Sequence, residues 1–330
     1  MSPLLDSRSS AISLAVLALF VAFLCAARPA GASQLVDRNA TNVHIQVNAR
    51  GQALVTYRAG GRLRRVLAWG ALNARPSASG GRQVAFRLDY SGGWGAYHRR
   101  VWRAFPDTCR RYTGPVLTHV VASCTAADGS YWALQIWKAA LPDLGFLPWL
   151  PAQKASWLTL SHWTGQTAEL EVHTDWVYGG RFQEVFGRLT YKGRPVYGYR
   201  TSRLGSPGDR FGRLLYLDTL DAPKYGRGWR RENSFVSHKG TGAFCYGFFR
   251  RAPTSGGYAS PPRWPRHGRR GPGVGKRYRI TVMGPGVTPN IGWEGSGLHT
   301  YNRKSPDDVA YEQAGNAILD SYRDRLCRHH

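Results

Sequence analysis

Val43–Trp69, VHIQVNARGQALVTYRAGGRLRRVLAW, is the stretch that decides the fold. Val43, Ile45 and Val47 are separated by His44 and Gln46, and Ala53, Val55 and Tyr57 repeat the pattern. Gly60-Gly61 then marks a tight turn into Arg62–Trp69. A period of two between turn residues is the signature of β-strands joined by hairpins. The same alternation recurs at Val84–Tyr90, Trp132–Ile136 and Leu170–Trp176, and Phe182–Tyr191 with Pro195–Arg200 forms a second hairpin across Lys192-Gly193. Further strands are expected at 213–220, 235–238, 243–249 and 278–283. With 39 Gly and 19 Pro punctuating the chain, a long helical bundle is excluded. Polar residues between the apolar ones suit antiparallel sheets with one wet face, and no βαβ alternation appears. The expected class is mainly β: an antiparallel β-sandwich or paired β-sheets with a C-terminal α-helix.

That helix is announced by Ser305 as cap, Pro306 at the first helical position, and Asp307 and Asp308 at the positive end of the helix dipole. Val309, Ala310, Ala314, Ala317, Ile318, Tyr322 and Leu326 offer an apolar stripe for packing on a sheet. Arg323, Arg325 and Arg328 follow near the negative end.

The first 32 residues have the pattern of a secretory leader. Arg8 precedes the apolar run Ala11–Ala27, and Ala30-Gly31-Ala32 supplies a small-residue cleavage site, so Ser33 is the expected first mature residue. The alternative is an uncleaved anchor, for which the run is short. Four cysteines lie beyond the leader: Cys109, Cys124, Cys245 and Cys327. An even number in an exported chain points to two disulfides, and sequence proximity favours Cys109–Cys124 with Cys245–Cys327. The first, closing a short loop, is worth roughly 3 kcal/mol in the chain-entropy model. The expected organisation is a cleaved leader over 1–32, a main β-rich domain over 33–249, a basic Gly/Pro-rich loop over 250–277, and a final strand and helix over 278–330.

Two constellations suggest chemistry. Glu169, Glu171, His173 and Asp175 alternate onto one strand face, where they form either a solvated edge or part of an acid–base or metal site; the row is too long for one ion. His238 and Cys245 flank a Gly turn, which suits a Cys/His nucleophile pair, but cysteine parity favours a disulfide. Phosphate-loop, zinc-protease and serine-hydrolase signatures are missing, and no motif calls for a cofactor or resident metal. Leu141–Pro151 is a proline-rich apolar loop that could instead dock on another protein.

Charge gives the partner class. There are 45 basic residues, 38 of them Arg, against 20 acidic ones, for a net charge of +25. Such a body attracts acidic polymers, acidic glycans and anionic surfaces. Eight basic residues and no acidic one lie in 250–277, where Arg263, Trp264, Arg266, Arg269 and Arg270 surround prolines and are the expected ligand-binding residues. Export argues against intracellular nucleic acid as the target. The favoured reading is an exported, disulfide-bonded protein of the cell envelope that binds an acidic polymer or glycan of the cell surface. The alternative is a secreted hydrolase or cell-wall-modifying enzyme using carboxylates or His238.

Overall fold

The computed structural model describes residues 33–74, 84–138, 155–196, 215–223, 226–235, 237–238, 240–249, 274–283 and 287–328. The leader and the apolar loop 141–151 lie outside them. Among the described residues no helix is long and apolar enough to cross a membrane.

Strands pair into four antiparallel sheets, and each pair of sheets encloses a core. In the N-terminal half, β1 (Ser33–Arg38), β8 (Ser156–Trp163), β7 (Tyr131–Lys138) and β6 (Val120–Thr125) form one sheet in that order. Its partner is the meander β2 (Thr41–Val47), β3 (Gln52–Ala59), β4 (Arg62–Gly70) and β5 (Phe86–Asp89). Val55, Tyr57 and Val66 of the meander meet Trp132, Leu134, Leu158 and Leu160 of the first sheet in a single apolar cluster. The alternation read from Val43–Trp69 therefore points inward as expected. Cys109 and Cys124 are joined at one edge of this body.

The C-terminal half repeats the architecture. β9 (Glu169–Val177), β10 (Phe182–Tyr191) and β14 (Ala243–Phe249) lie side by side, with the two-residue β11 (Arg194–Pro195) closing the hairpin. β13 (Trp229–Phe235), β12 (Leu215–Leu220), β15 (Arg277–Val282) and β16 (Ile291–Ser296) form the facing sheet. Val185, Leu189, Phe244 and Phe248 pack against Leu215, Leu217, Tyr278 and Ile280. The two halves meet through polar groups: Gln135 donates to the Asn290 carbonyl (3.0 Å), and Asn290 donates to Thr159 Oγ1 (3.2 Å). These groups are buried, so each would be costly to leave without a partner.

The C-terminal helix, α2 (Pro306–Ser321), begins as the sequence indicates, with the Ser305 side chain accepting from the Asp308 N–H. Its buried face matches the expected one only in part. Tyr322 is buried and Ile318 packs beside it, but Ala310, Ala314, Ala317 and Leu326 are exposed, and Asp308, Glu312, Asn316 and Leu319 are buried in their place. The reason lies in the surface it covers. α2 packs on the outer face of the β9–β10–β14 sheet, and that face carries Asp175 and Glu184 as cross-strand partners. Near its start Tyr311 meets the Trp176 ring edge-on (5.6 Å between ring centres), and in the last turns Leu319 and Tyr322 meet Phe186 and Ala243. The helix lies so close that a side chain at Gly315 would put its Cβ 2.6 Å from the Asp175 carboxyl carbon. Beyond the helix, Cys327 is bonded to Cys245 of β14, the pairing favoured from the sequence.

The acidic row of β9 is thus not uniformly wet. Glu169 and Glu171 are exposed, His173 is partly exposed and bonded to Glu171 at 2.8 Å, but Asp175 is fully buried. Both its oxygens lie without a hydrogen-bond partner. Burial pushes its pKa up to about 8, helped by the charges of Glu312 and Glu184; the Trp176 N–H, near the carboxylate but outside hydrogen-bond geometry, pulls weakly the other way. Burial likewise lifts Glu184 to about 7. Both folded-state values lie above those of the unfolded chain, so their stabilising contribution is complete below about pH 4 and is lost as pH rises towards 8. Asp175→Asn, which cannot ionise, should therefore melt higher than the parent at pH 8.5. The difference should exceed about 2–4 °C, the equivalent of roughly 1 kcal/mol in a large domain, and should vanish near pH 4. Calorimetry of both proteins across this range checks it; parallel melting curves would show that Asp175 does not retain its proton in the fold.

Candidate functional site

Between β5 and β6 the chain leaves the meander and folds back over its outer face. The departure is fixed by Asp89, the last residue of β5. Its carboxylate accepts from the backbone N–H groups of Ser91 (2.9 Å) and Ala96 (2.9 Å), and Ser91 Oγ accepts from the Gly95 N–H (2.6 Å). Burial pushes the Asp89 carboxyl up, but the hydrogen bonds from Ser91, Ala96 and Gly93 outweigh it and hold the group below the usual carboxylate range. Gly93 has φ +105°, and a Cβ there would lie 2.3 Å from the Val101 side chain, so only glycine fits the crossing.

What this latch presents is a short helical turn, α1 (Trp94–Tyr97), followed by a 3₁₀ turn at Val101–Ala104. Trp94 and Tyr97 stand three residues apart on the same side of that turn, 52% and 42% exposed. Gln52 of β3 donates to the Tyr97 hydroxyl and fixes that ring. Arg99, Arg100 and Arg103 are exposed, and none makes an ion pair among the described residues. Trp102 instead lies flat against the protein, with the Arg65 guanidinium 5.3 Å from its ring centre. After the loop, Asp107 Oδ1 accepts from the Val47 N–H (3.0 Å), and Cys109 is bonded to Cys124. The loop is therefore tied down at both ends, with rings and guanidinium groups between.

The five residues expected to bind ligand, Arg263, Trp264, Arg266, Arg269 and Arg270, lie outside the described residues. Of the same basic segment, Arg277 opens β15 and pairs with Glu294 (3.0 Å), and Lys276 lies 3.5 Å from Asp221. His238 does not face a free thiol: Cys245 and Cys327 form a disulfide, and His238 Nδ1 bonds to Asp324 (2.6 Å). Asp175 and Glu184 are sealed beneath α2 and do not open onto a cleft as a hydrolytic pair would require. Among the described tryptophans, Trp132, Trp137, Trp163 and Trp176 are buried packing residues, and Trp94 is the most exposed. Ser91–Gly95 reads from sequence as a plain turn. The missed signal is the run Trp94–Arg103, where aromatic and basic residues mix without any strand or helix period.

No protein-family model matches the chain, and comparison with curated proteins and with solved structures finds no match.

Asp89→Asn should loosen the loop without unfolding the body. The carboxylate's contribution is present above the unfolded value near 3.8 and is lost as pH falls through its lower folded value. At pH 7 the variant should be cut by trypsin after Arg99 or Arg100 at least about fivefold faster than the parent, the equivalent of roughly 1 kcal/mol in local opening. Equal cleavage rates would mean that the latch does not order the loop.

Proposed function

We propose that the protein is an extracytoplasmic binding protein for an acidic polysaccharide, and that the loop from Asp89 to Arg103 holds the ligand. The observation that carries this reading is the exposure of Trp94 and Tyr97 on an ordered turn beside three unpaired arginines. Large rings left in water forgo burial worth roughly 1.5–3 kcal/mol each, and here Asp89, Ser91 and Gln52 spend hydrogen bonds holding the turn that displays them. Flat rings suit the apolar faces of sugars, and arginine forks suit carboxylate or sulfate groups. A net charge of +25 adds long-range attraction to a polyanion. Two disulfides are in keeping with an oxidising compartment. Because both ends of the loop are fixed, little ordering entropy is lost on binding.

Titration with polygalacturonate, its methyl-esterified neutral form and inorganic polyphosphate tests the reading. The acidic glycan should bind most tightly. Trp94→Ala and Tyr97→Ala should each weaken it at least about fivefold, near 1 kcal/mol, and Arg99→Gln/Arg100→Gln/Arg103→Gln should flatten the salt dependence. Binding that ignores both rings but falls with salt, equally for polyphosphate, would reduce the protein to a general polyanion binder. Binding unaffected by all five substitutions would move the site off this loop.

A further inference from the structure

In the C-terminal half, four side chains of metal-ligating type gather at the joint that pins the C-terminus. Asp324, three residues beyond α2, is buried. Its Oδ1 accepts from the backbone N–H groups of Leu326 (2.8 Å) and Cys327 (3.0 Å), and from His238 Nδ1 (2.6 Å). Thr241 donates to Oδ2. His238 is itself held by the turn into β14: its N–H bonds to the Ala243 carbonyl (2.7 Å) and its own carbonyl accepts from the Gly242 N–H (2.8 Å). Cys327 Sγ lies 3.8 Å from His238 Nδ1. One ligand atom from each of His238, Asp324 and Cys327 falls within 4.8 Å of the others, and Cys245 Sγ is covalently bonded to Cys327 Sγ.

Zinc bonded at about 2.0–2.1 Å to nitrogen or oxygen and 2.3 Å to sulfur needs ligand atoms about 3.3–3.8 Å apart at the corners of a tetrahedron. The nitrogen–sulfur separation already meets this; the nitrogen–oxygen pair at 2.6 Å must open by about 0.7 Å, and the two sulfurs, bonded at 2.09 Å, must part by about 1.7 Å as Cys245 swings towards the other three ligands. We propose that reduction of the Cys245–Cys327 disulfide creates a zinc site made of Cys245, Cys327, His238 and Asp324.

The chemistry balances with a dithiol as reductant. It passes two electrons and two protons to the disulfide, becoming a cyclic disulfide itself and leaving two thiols. On binding zinc, both thiols release their protons to solvent. His238 shifts its remaining ring proton to Nε2 and presents the Nδ1 lone pair to the metal. Asp324 exchanges the His238 hydrogen bond for the metal and keeps those from Leu326, Cys327 and Thr241. Two sulfurs, one nitrogen and one carboxylate oxygen select zinc over calcium or magnesium. The disulfide and the metal are then alternative fastenings of one joint, and each excludes the other.

The full-length mature protein, reduced with a tertiary phosphine under nitrogen and titrated with Co(II), tests this. The phosphine takes its oxygen from water, becomes the phosphine oxide and leaves no competing thiol. One equivalent of Co(II) should give tetrahedral ligand-field bands and a thiolate-to-cobalt charge-transfer band, both bleached by zinc. The unreduced protein should show neither. His238→Ala keeps every cysteine, including the Cys109–Cys124 pair, and should weaken Co(II) binding at least about tenfold. Cys245→Ser/Cys327→Ser should lose the charge-transfer band. Circular dichroism accompanies each titration: if reduction alone unfolds the C-terminal half, one equivalent of zinc should restore it. Absence of the bands in the reduced parent, an unchanged affinity in His238→Ala, or failure of zinc to restore a lost fold would each overturn the proposal.

Discussion

A polar sheet face covered by a helix is the constraint on which the C-terminal half depends. The β9–β10–β14 sheet buries one face in its sandwich and the other beneath α2, although that second face bears Asp175 and Glu184. Hydrophobic burial alone does not hold such a lid down, because its apolar contacts are confined to Tyr311 against Trp176 and to Leu319, Tyr322 and their neighbours. Two other devices share the work. Retained protons remove the charge that burial would otherwise penalise, and the covalent link from Cys327 to Cys245 prevents the end of the chain from leaving. Asp324 and His238, themselves ordered by hydrogen bonds, set the geometry around that link.

The N-terminal half solves a different problem. Its meander has an ordinary apolar interior, and its outer face is covered by irregular chain. The cover is kept in place by backbone hydrogen bonds to one carboxylate at its start and by a disulfide soon after its end. Fixing the ends of a loop lets side chains that pack poorly remain on view without disordering the chain between them. That division of labour, with a rigid frame beneath and exposed rings above, places the display on the N-terminal body while the redox-sensitive fastening belongs to the other.

Much of the fold is legible in the sequence because most strands keep one face dry. Val55, Tyr57 and Val66 announce themselves by alternation and do point inward. β8 is invisible to that test: Leu158 to Trp163 are all buried, so apolar and polar residues carry no contrast of environment. β13 is hidden for another reason. It carries Arg231 and Glu232 into the interior, and Arg231 is tolerated there because Asp218, also paired with Arg279, accepts from it at 2.6 Å. For α2 the start is readable from Ser305 and Pro306, but the amphipathic rule, which assumes an apolar floor, finds Ile318 and Tyr322 and misses the buried Asp308, Glu312 and Asn316. The disulfide pairing is accessible from proximity and parity. The aromatic–arginine loop is not, because a display surface has no period and becomes recognisable only once the rings are seen to lie outside the core.

The Cys245–Cys327 bridge spans 82 residues and so closes a covalent ring that contains the whole basic segment at 250–273. A protease that severs this segment once would not release a fragment. It would yield a two-chain molecule, the later piece held by the sulfur–sulfur bond and by the pairing of β15 with β12. Maturation or damage at those arginines would accordingly change the number of chain ends without changing the mass that migrates under non-reducing conditions.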